Sequence, residues 1–189
     1  GVDLDGSLLV AAGPAGIKRI DPVTGAVLAT YTGTTLAVAS DVDLMADGRI
    51  VVTDAAAAFG PGTNKLLIID PSDNSEVDTG ATGFVLPLSV ARLADGRIAV
   101  GDGLSEFGSP SSAVIVVDPS DGSTDANITG ALVDGVTGLD VDSAGNVYAV
   151  SRVPNQVLGV DVAGASVASV STSAPLRKPW GLAVYGGRG

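Results

Sequence analysis

Short apolar runs recur along the chain, separated by polar turns. Four of them end in Asp: IKRID at Asp21, LLIID at Asp70, VIVVD at Asp118 and VLGVD at Asp161, with steps of 49, 48 and 43 residues. Four more open on Gly: GSLLV at Gly6, GRIVV at Gly48, GRIAV at Gly96 and GNVYAV at Gly145, with steps of 42, 48 and 49. Brief, nearly continuous apolar runs suit strands that are buried on both faces. No segment sustains a 3.6-residue period, so essentially no helix is expected.

Each unit reads as four strands, a to d. Strand b follows the Gly marker, as in RIVVT from Arg49 and RIAVG from Arg97, and strand c ends at the Asp marker. Strand d is more polar, as in SEVDT from Ser75 and TDANI from Thr124, which fits an outer edge that must resist pairing with other chains. Strand a precedes each Gly, at Val2, Asp41, Ser89 and Gly138, and returns once more as GLAVY from Gly181. Two markers in one phase, near 45 residues apart with several strands per unit, are the signature of a β-propeller with one sheet per repeat. The predicted fold class is therefore all-β, a propeller of four-stranded blades. The repeats fall at about 1–40, 41–84, 85–130 and 131–173, with the start of a fifth at 174–189. Both ends carry an a-type strand, so the chain is expected to be part of a larger propeller of about five to seven blades. A four-blade ring with one frayed strand is the alternative. The partner of the Leu182 and Val184 backbone separates the two: pairing with Val2 to Leu4 would close the ring. Val51, Ile68, Val100, Val116, Val147 and Val160 lie on strands b and c and are the predicted core.

Composition narrows the chemistry. The 189 residues are 46% hydrophobic but only 4% aromatic, and no apolar run is long enough to span a bilayer, so membrane insertion is not expected. No leader segment is visible in a chain that begins inside the repeat pattern. Cys and His are both absent, which removes thiolate chemistry and the commonest general base and nitrogen ligand. The net charge is −11, and 19 of the 21 acidic residues are Asp. Such a surface disfavours nucleic acid and anionic lipid as partners. Asp is also an ordinary turn residue, and a propeller is rich in turns.

GLDVDSAGNVYAVSR (138–152), PWGLAVY (179–185) and IDPVTGAVLAT (20–30) resemble the NHL and YVTN-type propeller repeats of secreted and surface proteins. The resemblance implies an extracellular, periplasmic or cell-surface protein that acts as a non-catalytic binding or scaffold module. It also brings two alternatives. One is a metal-assisted hydrolase or lactonase of the six-bladed propeller type, since the gluconolactonase-like enzymes hold a metal through Glu, Asn and Asp. The other is a structural subunit packed side by side through its outer strands into an assembly, and self-assembly through an open edge is a further partner expectation. The streptogramin lyases share the fold but depend on His, which is absent here. The chain has only two Glu, and Glu76 falls on an outer strand. The chain is accordingly expected not to be an enzyme.

Long loops on a rigid scaffold commonly carry function. The b–c loops of the second and third repeats are long and alike, DAAAAFGPGTN (54–64) and DGLSEFGSPSS (102–112), and the fourth shrinks to SRVPN (151–155). Phe59 and Phe107 occupy matching places, as ligand contacts or, the favoured reading, as plugs folded back into their own loops. Glu106 and Arg152 lie in the same set of loops. Trp180, the sole Trp, stands beside Arg177 and Lys178 in the last d–a loop, where it either meets a ligand or packs against a neighbouring blade. A protein or glycan ligand at this loop face is the expected partner. No organic cofactor is expected, and Ca²⁺ is the one candidate ion. Asp54, Asp102, Asp140 and Asp142 are its candidate ligands, because Ca²⁺ takes several oxygens. Caps on loop and hairpin backbone amides are the more ordinary role for such Asp residues.

Overall fold

A computed structural model describes residues 1–3, 5–59, 62–108, 111–170 and 176–184. Its strands form four antiparallel sheets, each in chain order. The first holds β1 (Leu8–Ala11), β2 (Ile17–Ile20) and β3 (Val27–Tyr31), with Val2 bridging to Leu8 on the inner side. The second holds β4 (Ala39–Leu44), β5 (Ile50–Asp54), β6 (Lys65–Ile69) and β7 (Glu76–Asp78). The third holds β8 (Pro87–Arg92), β9 (Ile98–Asp102), β10 (Ala113–Val117) and β11 (Thr124–Ile128). The fourth holds β12 (Val136–Val141), β13 (Val147–Ser151), β14 (Gln156–Asp161) and β15 (Ser166–Val170). These are the blades of a β-propeller.

The repeated Asp closes each c–d turn. The carboxylates of Asp21, Asp70 and Asp118 accept the amides of Val23, Ser72 and Ser120. Their carbonyls accept the amides of Gly25, Asn74 and Gly122. In the fourth blade Asp161 accepts Gly164 N–H instead.

Alternation along strands b and c divides the apolar side chains between two seams. In the second blade Ile50, Val52, Leu67 and Ile69 pack with Leu9, Ile17 and Tyr31 of the first. Val51, Leu66 and Ile68 turn the other way, onto Val90, Ile98, Val100 and Ile115 of the third. The third and fourth blades meet through Ala99, Val114, Val116 and Ile128 against Val136, Leu139, Val147 and Leu158. All six predicted core residues are buried.

The inner strands are also stitched from blade to blade. The hydroxyls of Ser40, Ser89 and Thr137 donate to the carbonyls of Pro87, Val136 and Pro179, at 2.6, 3.0 and 3.0 Å. The carboxylates of Asp41 and Asp43 accept the amides of Val90 and Arg92, at 3.0 and 2.7 Å. Asp140 does the same for Val184, at 2.7 Å. Residues 179–184 therefore stand beside β12 as each inner strand stands beside the one before it. A Cβ on Gly138 would come within 2.6 Å of Leu182 N, so this close approach requires glycine. The Val184 amide is thus held by a side chain of the fourth blade, not by the Val2 region. Leu4 and Tyr185 lie outside the described residues. Among the described residues no β-pairing joins the fourth sheet back to the first.

Helix is nearly absent among the described residues, as expected. One α-helical turn, Ala56–Phe59, and one 3-10 turn, Ser105–Phe107, occur in the two long b–c loops. Local turns satisfy backbone groups that have no strand partner there. Among the described residues no helix is long and apolar enough to cross a membrane.

Candidate functional site

The loops of the third and fourth blades converge on Trp180. The third b–c loop leaves β9 at Asp102 and turns at Gly103, where φ is +84° and a Cβ would overlap the Ser111 carbonyl. Leu104 is fully buried beneath the loop. Asp134, on the following d–a crossover, then accepts three bonds: from Ser105 N–H at 3.0 Å, Ser105 O–H at 2.6 Å and Ser112 O–H at 3.2 Å. This clamp presents Glu106 and Phe107 to the blade-four side.

Arg152 follows directly on β13, and its amide donates to Gly135 O at 2.9 Å. Its guanidinium reaches three neighbours at once. Nε donates to Glu106 Oε2 at 2.9 Å, Nη1 donates to Lys178 O at 3.0 Å, and the guanidinium carbon lies 4.7 Å from the Trp180 ring centroid. Lys178 Nζ completes the arrangement on Glu106 Oε1 at 2.7 Å. Hydrogen bonds from Lys178 and then Arg152 hold the Glu106 carboxyl below its ordinary range. The Arg152 side chain is only 16% exposed. Trp180 and Phe107 remain 52% and 54% exposed, with ring centroids 6.3 Å apart and planes tilted by 50°. Lys178 sits at φ +46°, an uncommon conformation for a non-glycine residue, and its amide is caught by Asn155 Oδ1.

Five of the sequence-derived candidates, Glu106, Phe107, Arg152, Lys178 and Trp180, thus form one contiguous patch. Arg177 is their exposed chain neighbour. Phe59, on the second blade's loop, is 59% exposed, so neither it nor Phe107 is a plug for its own loop. The short helical turns hold both rings outward. Trp180 packs on Arg152 of the fourth blade, as one of its two readings expected, and still presents half its surface.

The four candidate calcium ligands are not brought together. Asp54 accepts the amides of Ala37 and Val38, and Asp102 those of Val85 and Leu86. Burial raises the Asp102 carboxyl, and those backbone bonds oppose the shift. Asp140 bonds Val141 and Val184, and Asp142 caps its hairpin through Ala144 and Asn146. Among the described residues no group of three or more acidic side chains converges as a metal would require.

Two contributors escaped the sequence reading. Asp134 and Asn155 look like ordinary turn residues, and only the folded loops show that one anchors the Glu106 turn and the other the Lys178 backbone.

No protein-family model and no curated protein sequence matches the chain. Solved structures do. The chain is similar to virginiamycin B lyase from Staphylococcus aureus, with a TM-score of 0.68 and 13% identity over 96% of this chain and 57% of that one. It is similar to a gluconolactonase from Xanthomonas campestris, with a TM-score of 0.64 and 19% identity over 95% of this chain and 61% of that one. It is also similar to an auxiliary nutrient binding protein from Bacteroides ovatus, with a TM-score of 0.67 and 14% identity over 92% of this chain and 41% of that one. The fold is shared; the chain spans between 41% and 61% of the length of these proteins.

The neighbours are β-propeller proteins, which supports the propeller part of the resemblance and not the specific NHL or YVTN type. They also correct the expectation that the chain is not an enzyme. A lyase and a gluconolactonase stand on this scaffold, so an enzymatic role is open to it. The physical reason is that Asp, Glu, Lys and Arg also serve in catalysis, so losing His and Cys removes the commonest groups without removing the class.

Proposed function

We propose that the chain is a propeller binding module, acting outside the cytoplasm, whose loop face takes a protein or glycan ligand at the Trp180 patch. The observation that carries this is the pair of half-exposed rings, Phe107 and Trp180, held in place by the Arg152–Glu106–Lys178 ion pairs. Exposed aromatics cost free energy in water and are favoured at contact surfaces when pre-positioned. Here loops of the third and fourth blades and the final inner segment cooperate to position them. The nutrient-binding neighbour lends the reading support at the level of the fold alone.

Trp180 is the only Trp, so its fluorescence reports on this patch alone. Titration with panels of oligosaccharides and peptides is expected to give a saturable emission change for at least one ligand. Phe107→Ala should weaken that binding, and calorimetry on Trp180→Ala should show it weakened as well. Ligands that bind equally well to both variants would overturn the assignment.

A further inference from the structure

We propose that Trp180 and Phe107 form a stacking subsite for an uncharged saccharide chain, with Arg152 as the residue that positions the indole. This rests on the loop-face binding reading above and names its ligand class. The charges of the patch are largely committed to one another. Glu106 receives Arg152 at 2.9 Å and Lys178 at 2.7 Å, while Arg152 also serves a backbone carbonyl. An ionic ligand would have to compete with these internal pairs. A polyanion would also meet a chain of net charge −11, whose long-range field opposes its approach. A basic peptide is disfavoured for a separate reason. A guanidinium already lies over the Trp180 ring, so a second cation there would add like-charge repulsion.

What the patch offers freely is flat apolar surface bordered by polar atoms. The two rings meet at 50° with centroids 6.3 Å apart, making an open corner of aromatic surface. The apolar C–H face of a pyranose matches an aromatic ring, and its hydroxyls need polar partners at the edge. The Lys178 side chain, 64% exposed, and the Glu106 side chain, 29% exposed, stand at that edge with their charged ends. Arg152 is mostly covered, so its part is to fix the ring angle and not to touch the sugar.

The test uses the 189-residue chain, with calorimetry and Trp180 emission. The probes are neutral cello-, malto-, xylo- and laminari-oligosaccharides, an oligogalacturonate and a peptide panel. Expected is binding of one neutral series that tightens with chain length and changes little between low and high salt. Trp180→Ala and Phe107→Ala should each weaken it about tenfold. Arg152→Met should weaken it several-fold and shift the emission of the unliganded protein, while Arg152→Lys recovers part of the affinity. Circular dichroism and melting confirm that each variant is folded. Binding of only the galacturonate or only a peptide would overturn the saccharide inference and leave the loop-face reading standing. Neutral-sugar binding indifferent to Trp180→Ala would overturn the subsite. No binding by any class would overturn both readings.

Discussion

The Arg152 guanidinium lies 4.7 Å from the Trp180 ring centroid while its Nε is bonded to Glu106, so a residue of the fourth blade joins a third-blade loop to the final inner segment. The contact is worth about 0.5–2 kcal/mol at a partly covered site. Removing it should loosen the ring more than it weakens the fold. Arg152→Met is expected to red-shift the emission of Trp180 and raise its quenching by acrylamide, with a melting temperature within a few degrees of the parent. Unchanged emission would separate the ring from its supposed support.

Ile68 tests the seam between the second and third blades. It is buried among Val51, Val90 and Val100 and can be replaced only by a cavity. Ile68→Ala should cost about 2–5 kcal/mol in denaturant unfolding, whereas Val23→Ala, at an exposed turn, should cost under about 0.5 kcal/mol. Equal effects would contradict the seam.

Glu76 holds the crossover from the first blade to the second. Its carboxylate accepts the amides of Thr34, Thr35 and Leu36, at 3.0, 3.1 and 3.1 Å, and the Thr35 hydroxyl. Burial raises its carboxyl, but the bonds from Thr35, Thr34 and Leu36 outweigh that and leave it lowered. Glu76→Ala should destabilise by about 1–3 kcal/mol, because several amides lose one shared acceptor. Hydrogen exchange should speed up first at residues 34–36; uniform exchange would count against a local clamp.

Asp41 predicts a pH dependence. Burial at the inner seam raises its carboxyl to about 6, against the opposing amides of Val90 and Val42. A folded-state value above the unfolded one means the folded state holds the proton more tightly. The contribution is fully present below about pH 4 and is lost as pH rises through about 6. Asp41→Asn keeps an acceptor for Val90 without the charge. Relative to the parent, it should gain roughly 1–3 kcal/mol between pH 4 and pH 8. Parallel stability curves for the two proteins would refute this.

Gly138 tests the last inner segment. An Ala there would press its Cβ against Leu182 N, at 2.6 Å, and the Gly181 carbonyl carbon, at 2.9 Å. Gly138→Ala is expected to release the Val184 amide from Asp140 and expose it to faster exchange, while the amides of β13 and β14 stay protected. An unchanged Val184 rate would show that the segment is not seated there.

Period and alternation were enough to read the blades from the chain. The Asp and Gly markers recur in every repeat, and strands b and c carry apolar side chains toward both seams, so Val100 and Val116 could each be placed in the core without coordinates. These are local signals: a turn residue and a two-residue alternation mean the same thing wherever the strand lies. The candidate patch was legible only as separate parts. Trp180, Phe107, Glu106, Arg152 and Lys178 could be singled out by type and loop, but nothing in their spacing says that Glu106 and Arg152, 46 residues apart, share an ion pair. At Asp54 and Asp102 a cap was already the more ordinary role for the residue type, and only the fold shows which amides, Val38 and Leu86 among them, each carboxylate takes. Which partner a side chain finds depends on how neighbouring blades set their loops. That is a property of packing across seams, and tertiary structure alone decided it.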